Sequence, residues 1–204
     1  MIEQYLNRSM SFSEYVALID RLLTEGKTTG PNQSDTMFNY GKLNRQRMLR
    51  LSKTIKIEPE ISKQIGKFNV DIVWLVITEG WCGDAAQNIP VIEKLAAANH
   101  GIETRYILRD ENSEFMDQFL TGGARSIPKL IAVDRRSNKI LSTWGPRPRA
   151  AQEYFFEMRA ACLEKPLINE NLQRWYLADR GRSVQMELTG LLSEWSTPQV
   201  AKAA

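Results

Sequence analysis

The chain reads as an α/β fold, a β-sheet layered with helices and extended by further helices at both termini. Three observations carry this reading. Residues 73–78, VWLVIT, form a short apolar and β-branched run, the pattern of a buried strand. The turn Glu79-Gly80 follows at once, then Trp81-Cys82-Gly83-Asp84 and a helical pattern that lasts to His100-Gly101. Short strand-like runs at 102–108, 130–133 and 140–144 alternate with helical stretches, as a layered α/β architecture requires.

Taken in order, Ser11 or Ser13 caps a helix that runs to about Glu25, with Gly26 as its stop. Tyr15, Leu18, Ile19, Leu22 and Leu23 share one face of it. Residues 28–34, TTGPNQS, read as a loop. Ser34 or Asp35 caps a second helix that turns Met37, Tyr40, Leu43, Met48 and Leu51 inward. Arg45, Arg47 and Arg50 on that helix are either a solvated face or an anion-binding set. Pro59 suits the first turn of a short third helix carrying Ile61 and Ile65. Beyond the strand over 102–108, a helix SEFMDQFL starts at Ser113 and stops at Gly122-Gly123. Ile127-Pro128 leads into the strand over 130–133, where a residue without an N–H is tolerated because the strand is only beginning. Residues 134–138 form a hairpin turn, and 140–144 the edge strand returning from it. Gly145-Pro146-Arg147-Pro148-Arg149 is a rigid loop before a helix over 150–163, which Pro166 ends. A last helical region spans 169–192, with Gly181 placed to break it, and the tail over 197–204 reads as frayed.

Composition excludes several classes. The 204 residues are 43% hydrophobic and 25% charged, enough to bury a sizeable core. A net charge of +3 is far from a nucleic-acid-binding signature, and no aromatic-rich RNA motif is present. No apolar run approaches the ~18 residues of a membrane span, and the opening MIEQYLNRSMSF lacks a signal-peptide core. Two cysteines without a dense framework suit a reducing compartment, so a cytoplasmic protein is expected, with no nucleic-acid or membrane partner. No Cys/His cluster has zinc spacing, and neither a P-loop nor G-x-G-x-x-G occurs, so no metal and no cofactor are expected.

Cys82 is the focus. It sits where a strand hands over to a helix N-terminus, a place where free N–H groups and the helix dipole favour a thiolate and lower a thiol's pKa. Trp81-Cys82-Gly83 resembles the active-site turn of the thioredoxin family, written there W-C-G-P-C. Further landmarks agree. Pro90 stands eight residues after Cys82, where thioredoxins carry a helix-kinking proline. Asp110-Glu111-Asn112 matches their Asp-x-Asn, Ile127-Pro128 their cis-proline pair, and Gly145 the glycine before the last helix. The resemblance covers about 70–163. It implies a thioredoxin-like fold with a central mixed sheet, divided into an N-terminal helical extension (1–68), the thioredoxin-like domain (69–165) and a C-terminal helical extension packed on it (166–204). Thr78, four residues before Cys82, resembles one piece of the peroxiredoxin T-x-x-x-C pattern, but the proline that family carries upstream is missing.

The departures matter equally. The second cysteine of the motif is Ala85, the motif proline is Asp84, and the buried carboxylate that thioredoxins hold six residues before the first cysteine falls on Val76. A dithiol cycle needs a second thiolate to attack the mixed disulfide. Here a single thiol remains, so the resemblance implies a one-thiol oxidoreductase acting on protein or low-molecular-weight disulfides and resolved by an external thiol. The alternative is a thioredoxin-fold docking module with Cys82 as an inert thiol.

Around Cys82 the resemblance gathers a substrate surface of Trp81, Gly83, Asp84, Ala85, Arg125, Ile127, Pro128 and Arg147. Trp81 covers the thiol or fills a rim gap. Gly83 permits a tight turn. Asp84 either stabilises the helix start or takes part in chemistry, though its charge opposes a thiolate. A cis Pro128 exposes the backbone of Ile127 for strand addition by an extended substrate. Arg125, Arg147 and Arg149 ring the thiol and draw an anionic thiol compound, or are surface charge. Cys162 shares an apolar stripe with Phe155 and Met158 and reads as core; its alternative is a distant resolving thiol. His100 reads as a helix C-terminal cap.

Overall fold

A computed structural model describes residues 2–196. Helices α1 (Glu3–Asn7) and α2 (Phe12–Thr24) open the chain. A capping box starts α2: Ser11 Oγ accepts from the Glu14 N–H while the Glu14 carboxylate accepts from the Ser11 N–H. Ser34 caps α3 (Asp35–Thr54), and Pro59 occupies the first turn of α4 (Pro59–Ile65). Then come β1 (Ile72–Thr78), α5 (Gly83–Ala96) and β2 (Ile102–Leu108). The short α6 (Ser113–Met116) runs into a 3-10 turn over Asp117–Phe119, so the single helix expected there is broken. Strands β3 (Lys129–Asp134) and β4 (Ile140–Trp144) form the hairpin, and α7 (Arg149–Ala160), α8 (Lys165–Asp179) and α9 (Arg182–Ser196) complete the described chain. The tail expected to fray lies outside the described residues.

Among the described residues the strands form one mixed sheet in the order β2-β1-β3-β4. β1 pairs parallel with β2, because α5 carries the chain back between them, and antiparallel with β3, which in turn pairs antiparallel with β4. All seven residues of β1 are buried, as its unbroken apolar run requires. The open edge of β2 is covered: Met10 and Tyr106 exchange N–H···O=C bonds at 2.8 Å, which removes a free sheet edge.

The terminal helices are built into the core. Tyr15 and Ile19 of α2, Met48 of α3, Ile65 of α4, and Val184, Leu188 and Leu192 of α9 share one hydrophobic cluster with the strands. Met158, Ile168 and Leu172 form a smaller cluster between α7 and α8.

Several expectations are corrected. α7 ends at Ala160, and Cys162 lies beyond it, exposed and in the left-handed region (φ +55°). A left-handed residue just past a helix reverses the chain, and here that swings Cys162 off the Phe155–Met158 stripe. Pro166 does not end α7; it sits in the first turn of α8. Tyr40 and Leu43 are exposed rather than inward. The cap expected at His100 falls elsewhere, since α5 closes on Ala97 and His100 is exposed.

Candidate active site

β1 ends at Thr78, and the next three residues turn the chain into α5. Glu79 and Gly80 are buried in that turn. The Gly80 N–H donates to Thr29 Oγ1 at 2.9 Å, and the Cys82 N–H donates to the Glu79 carbonyl at 3.1 Å. Cys82 is the N-cap of α5: its Sγ accepts from the Ala85 N–H at 3.4 Å. The thiol also donates to the Ile127 carbonyl at 3.3 Å. Ile127-Pro128 is cis, as is Gly145-Pro146. Gly145, at φ +105°, is required: a Cβ there would run into the Pro128 carbonyl, so glycine lets the loop after β4 close on the cis-proline.

Position and electrostatics pull in opposite directions. Cys82 has the helix-start location expected of a reactive thiol, yet it is 8% exposed and its pKa is pushed up to about 12. Burial is the foremost cause and the Asp84 charge the second; the N–H groups of Ala85 and Asp84 and the Arg147 guanidinium oppose them. The expectation of a lowered pKa is therefore overturned. A half charge at a helix end is a small effect beside the loss of water around a thiolate.

Asp84 is held by an ion pair with Arg147 Nη2 at 2.7 Å and by the Tyr176 hydroxyl, which donates to Oδ1 at 3.0 Å. Burial holds its carboxyl above the ordinary range despite these partners. Arg147 also lies over the Phe155 ring, 4.2 Å from its centroid, and donates to Gln152 Oε1 at 3.0 Å. Asp84 thus ties the head of α5 to the loop before α7 and to α8.

The thiol opens onto a cleft of about 490 Å³ between α3 and α8, with Met37, Tyr40, Leu43, Trp81 and Leu172 among its walls. Trp81 stacks under the Arg109 guanidinium, 4.9 Å from the ring centroid, and its carbonyl accepts from Asn44 Nδ2 at 2.6 Å. Arg47 donates to Asn44 Oδ1.

A family model described as Thioredoxin matches residues 30–161, well over half of the chain. The chain belongs to the thioredoxin family. Its structure is similar to the crystal structure of a protein of unknown function from Pseudomonas aeruginosa, at 15% identity and a TM-score of 0.61, covering 93% of this chain and 95% of that one. It is also similar to an HIV epitope-scaffold, at 14% identity and a TM-score of 0.56, covering 91% of this chain and 99% of that one. At these identities the likeness shows the fold alone. No curated protein matches the chain.

Against this family frame, the predicted site residues divide. Trp81, Cys82, Gly83, Asp84, Ala85, Ile127, Pro128 and Arg147 come together. Arg125 does not join them: it makes a two-pronged pair with Asp117 at 2.6 Å on the surface. Arg149 pairs with Glu153 in solvent, so the expected ring of three arginines reduces to Arg147. Gly83 is not needed for a tight turn, since a Cβ there would make ordinary contacts with Gln173 and Arg47. Thr78 is fully buried and its hydroxyl faces Tyr15, 3.4 Å away.

The sequence reading missed Asn44, Gln173 and Tyr176, which reach the site from helices distant in the chain, and it named Arg47 only as a solvated or anion-binding residue without placing it beside Cys82. Asn44 carried one signal, a polar residue on the inward stripe of its helix. It also missed Glu79, a fully buried carboxyl three residues before Cys82. Its Oε1 accepts from the Asp110 N–H at 2.9 Å, its Oε2 is unpaired, and burial pushes its pKa up to about 7. Val76, where thioredoxins hold their buried acid, is enclosed between Tyr106 and Leu130.

Proposed function

We propose that this protein is a one-thiol disulfide-exchange protein that captures its partner as a stable mixed disulfide on Cys82. The observation that carries the reading is the placement of a buried, protonated thiol at the head of α5, hydrogen-bonded to the carbonyl before a cis-proline and facing an open cleft. In the first step R–S–S–R′ and the Cys82 thiol give Cys82–S–S–R and R′–SH, the thiol proton passing to the leaving sulfur. In the second an external thiol R″–SH attacks the mixed disulfide, giving R–S–S–R″ and the Cys82 thiol. No neighbouring cysteine supplies that second attack, because Ala85 occupies the position.

The raised pKa suits capture rather than rapid turnover. Burial penalises a thiolate but not a neutral disulfide, so it favours the captured form. A high-pKa sulfur is also a poor leaving group, which slows release. An extended substrate that donates an N–H to the Ile127 carbonyl competes with the Cys82 thiol for that acceptor and frees it to react. Both thiol chemistry and the paucity of cysteines suit a reducing compartment such as the cytoplasm.

The test is direct. Protein exposed to a small disulfide is followed by intact mass, with and without added thiol. In a Cys162→Ser background, which removes the exposed thiol, the expected result is one adduct that maps to Cys82, persists without thiol, is released by thiol and is absent when Cys82→Ser is added. Absence of any Cys82 adduct after prolonged exposure sinks the reading. The raised thiol pKa then favours the docking-module alternative, in which the Trp81–Tyr40–Leu43 cleft binds protein without exchange; partners retained by Cys82→Ser would support it.

A further inference from the structure

A second cavity, of about 790 Å³, lies beside the Cys82 cleft and shares Arg47, Glu170 and Gln173 with it. α3, α5, α8 and the start of α9 enclose it. Its walls carry six basic side chains, Arg47, Arg50, Lys56, Arg174, Arg180 and Arg182, against the carboxylates of Glu58 and Glu170. Arg174 pairs with Glu170 and Arg182 with Glu58. No carboxylate of the described residues lies within ion-pair distance of Arg47, Arg50, Lys56 or Arg180. The cavity is therefore strongly positive, in a chain whose overall net charge is only +3.

Two further features point to a ligand. Burial and the neighbouring Arg50 charge both lower the pKa of Arg47 and outweigh the opposing Asp84 charge, so the guanidinium at the junction of the two cavities is only partly compensated. Asn88, fully buried, also lines the cavity. Its Nδ2 is committed to the Pro146 carbonyl and the Tyr176 hydroxyl, which fixes the amide orientation, and its Oδ1 has no partner. A buried acceptor without a donor carries the full cost of its lost hydration.

The geometry points to this cavity as the binding site for the acid end of a low-molecular-weight thiol or disulfide, a phosphate monoester or carboxylic acid whose sulfur reaches Cys82 past Arg47. Arg47 stands at the crossing: its Nη1 lies 3.7 Å from where a Cβ on Gly83 would sit, one residue from the thiol. Arginines grip phosphate and carboxylate through paired N–H donors, and several together favour a doubly charged group. The sulfur-directed part of this inference rests on the disulfide-exchange reading; the anion site does not.

The test uses three probes on the full chain in a Cys162→Ser background: dithiodipropionate, a dianionic disulfide; hydroxyethyl disulfide, its neutral counterpart; and inorganic pyrophosphate, an anion without sulfur. The expected ratio of Cys82 adduct formation, dianionic over neutral, is about tenfold at low salt, the yield of ~1.4 kcal/mol of added attraction. It falls toward unity in Arg50→Ala/Lys56→Ala, a pair of exposed side chains without partners whose loss leaves the fold intact. Pyrophosphate competes against the dianionic probe alone. Calorimetry of pyrophosphate on Cys82→Ser separates the two readings. Binding that Arg50→Ala/Lys56→Ala weakens supports the site even where no probe forms an adduct, an outcome that removes disulfide exchange and keeps the anion site. No pyrophosphate binding to the parent chain, or binding that the double substitution leaves unchanged, overturns the inference.

Discussion

The two cysteines of this chain sit at opposite kinds of helix end. Cys82 caps the start of α5, is 8% exposed and donates its proton to a carbonyl; Cys162 follows the end of α7, exposed, with no closer polar contact than the Ala160 carbonyl at 3.9 Å. Simple position favours a lowered pKa at Cys82, because helix starts attract anions. At Cys82 burial outweighs that influence. A helix N-terminus activates a thiol only where burial does not outweigh it, and at Cys82 burial is joined by the anion Asp84, whose effect exceeds that of the Arg147 cation.

The largest expected effect tests that contrast itself. With a pKa near 12, Cys82 should alkylate about a thousandfold more slowly at pH 8 than a free cysteine of pKa ~8.5. Iodoacetamide should therefore label Cys162 first, and the Cys82 rate should keep rising beyond pH 10. A plateau of the Cys82 rate below pH 9 breaks the comparison.

The next effect concerns the buried acid beneath the same turn. Glu79 has a folded pKa of about 7 against an ordinary 4.5. The folded protein then holds this proton more tightly than the unfolded chain, so stability is greatest below pH 4.5 for this group and is lost as pH rises to about 7. The loss approaches about 3 kcal/mol. Glu79→Gln should flatten that part of the stability–pH curve in chemical denaturation, and be the more stable protein at pH 8. An unchanged slope between pH 4.5 and 7 removes Glu79 as its cause.

A smaller effect sharpens the difference between the thiols. Asp84→Asn removes the second cause of the raised Cys82 pKa and leaves burial, so alkylation at a fixed pH should quicken by about tenfold, one pKa unit, without reaching the rate of free cysteine. The smallest effect is at the other site. Cys162→Ser should change stability by less than about 0.5 kcal/mol, as exposed substitutions do, and mild oxidation of the parent chain should yield no Cys82–Cys162 bridge in the monomer by mass spectrometry.

The local sequence determined much of this molecule. The apolar run of β1, the Ser11 and Ser34 caps, the Ile127-Pro128 pair and the break at Gly181 depend on interactions between residues near in the chain, so they were legible there. Together with the Trp81-Cys82-Gly83 turn they pointed to the thioredoxin fold. Tertiary structure alone decided the character of the site. Asn44, Arg47, Gln173 and Tyr176 lie between 35 and 94 positions from Cys82 in the chain, and only the packing of α3 and α8 over α5 brings them to it. The same packing strips water from Cys82 and sends its pKa upward. It also separates Arg147, drawn inward by Asp84, from Arg125 and Arg149, which find acidic partners on the surface. Desolvation and charge pairing depend on which surfaces meet in space, and no local pattern of residues encodes that.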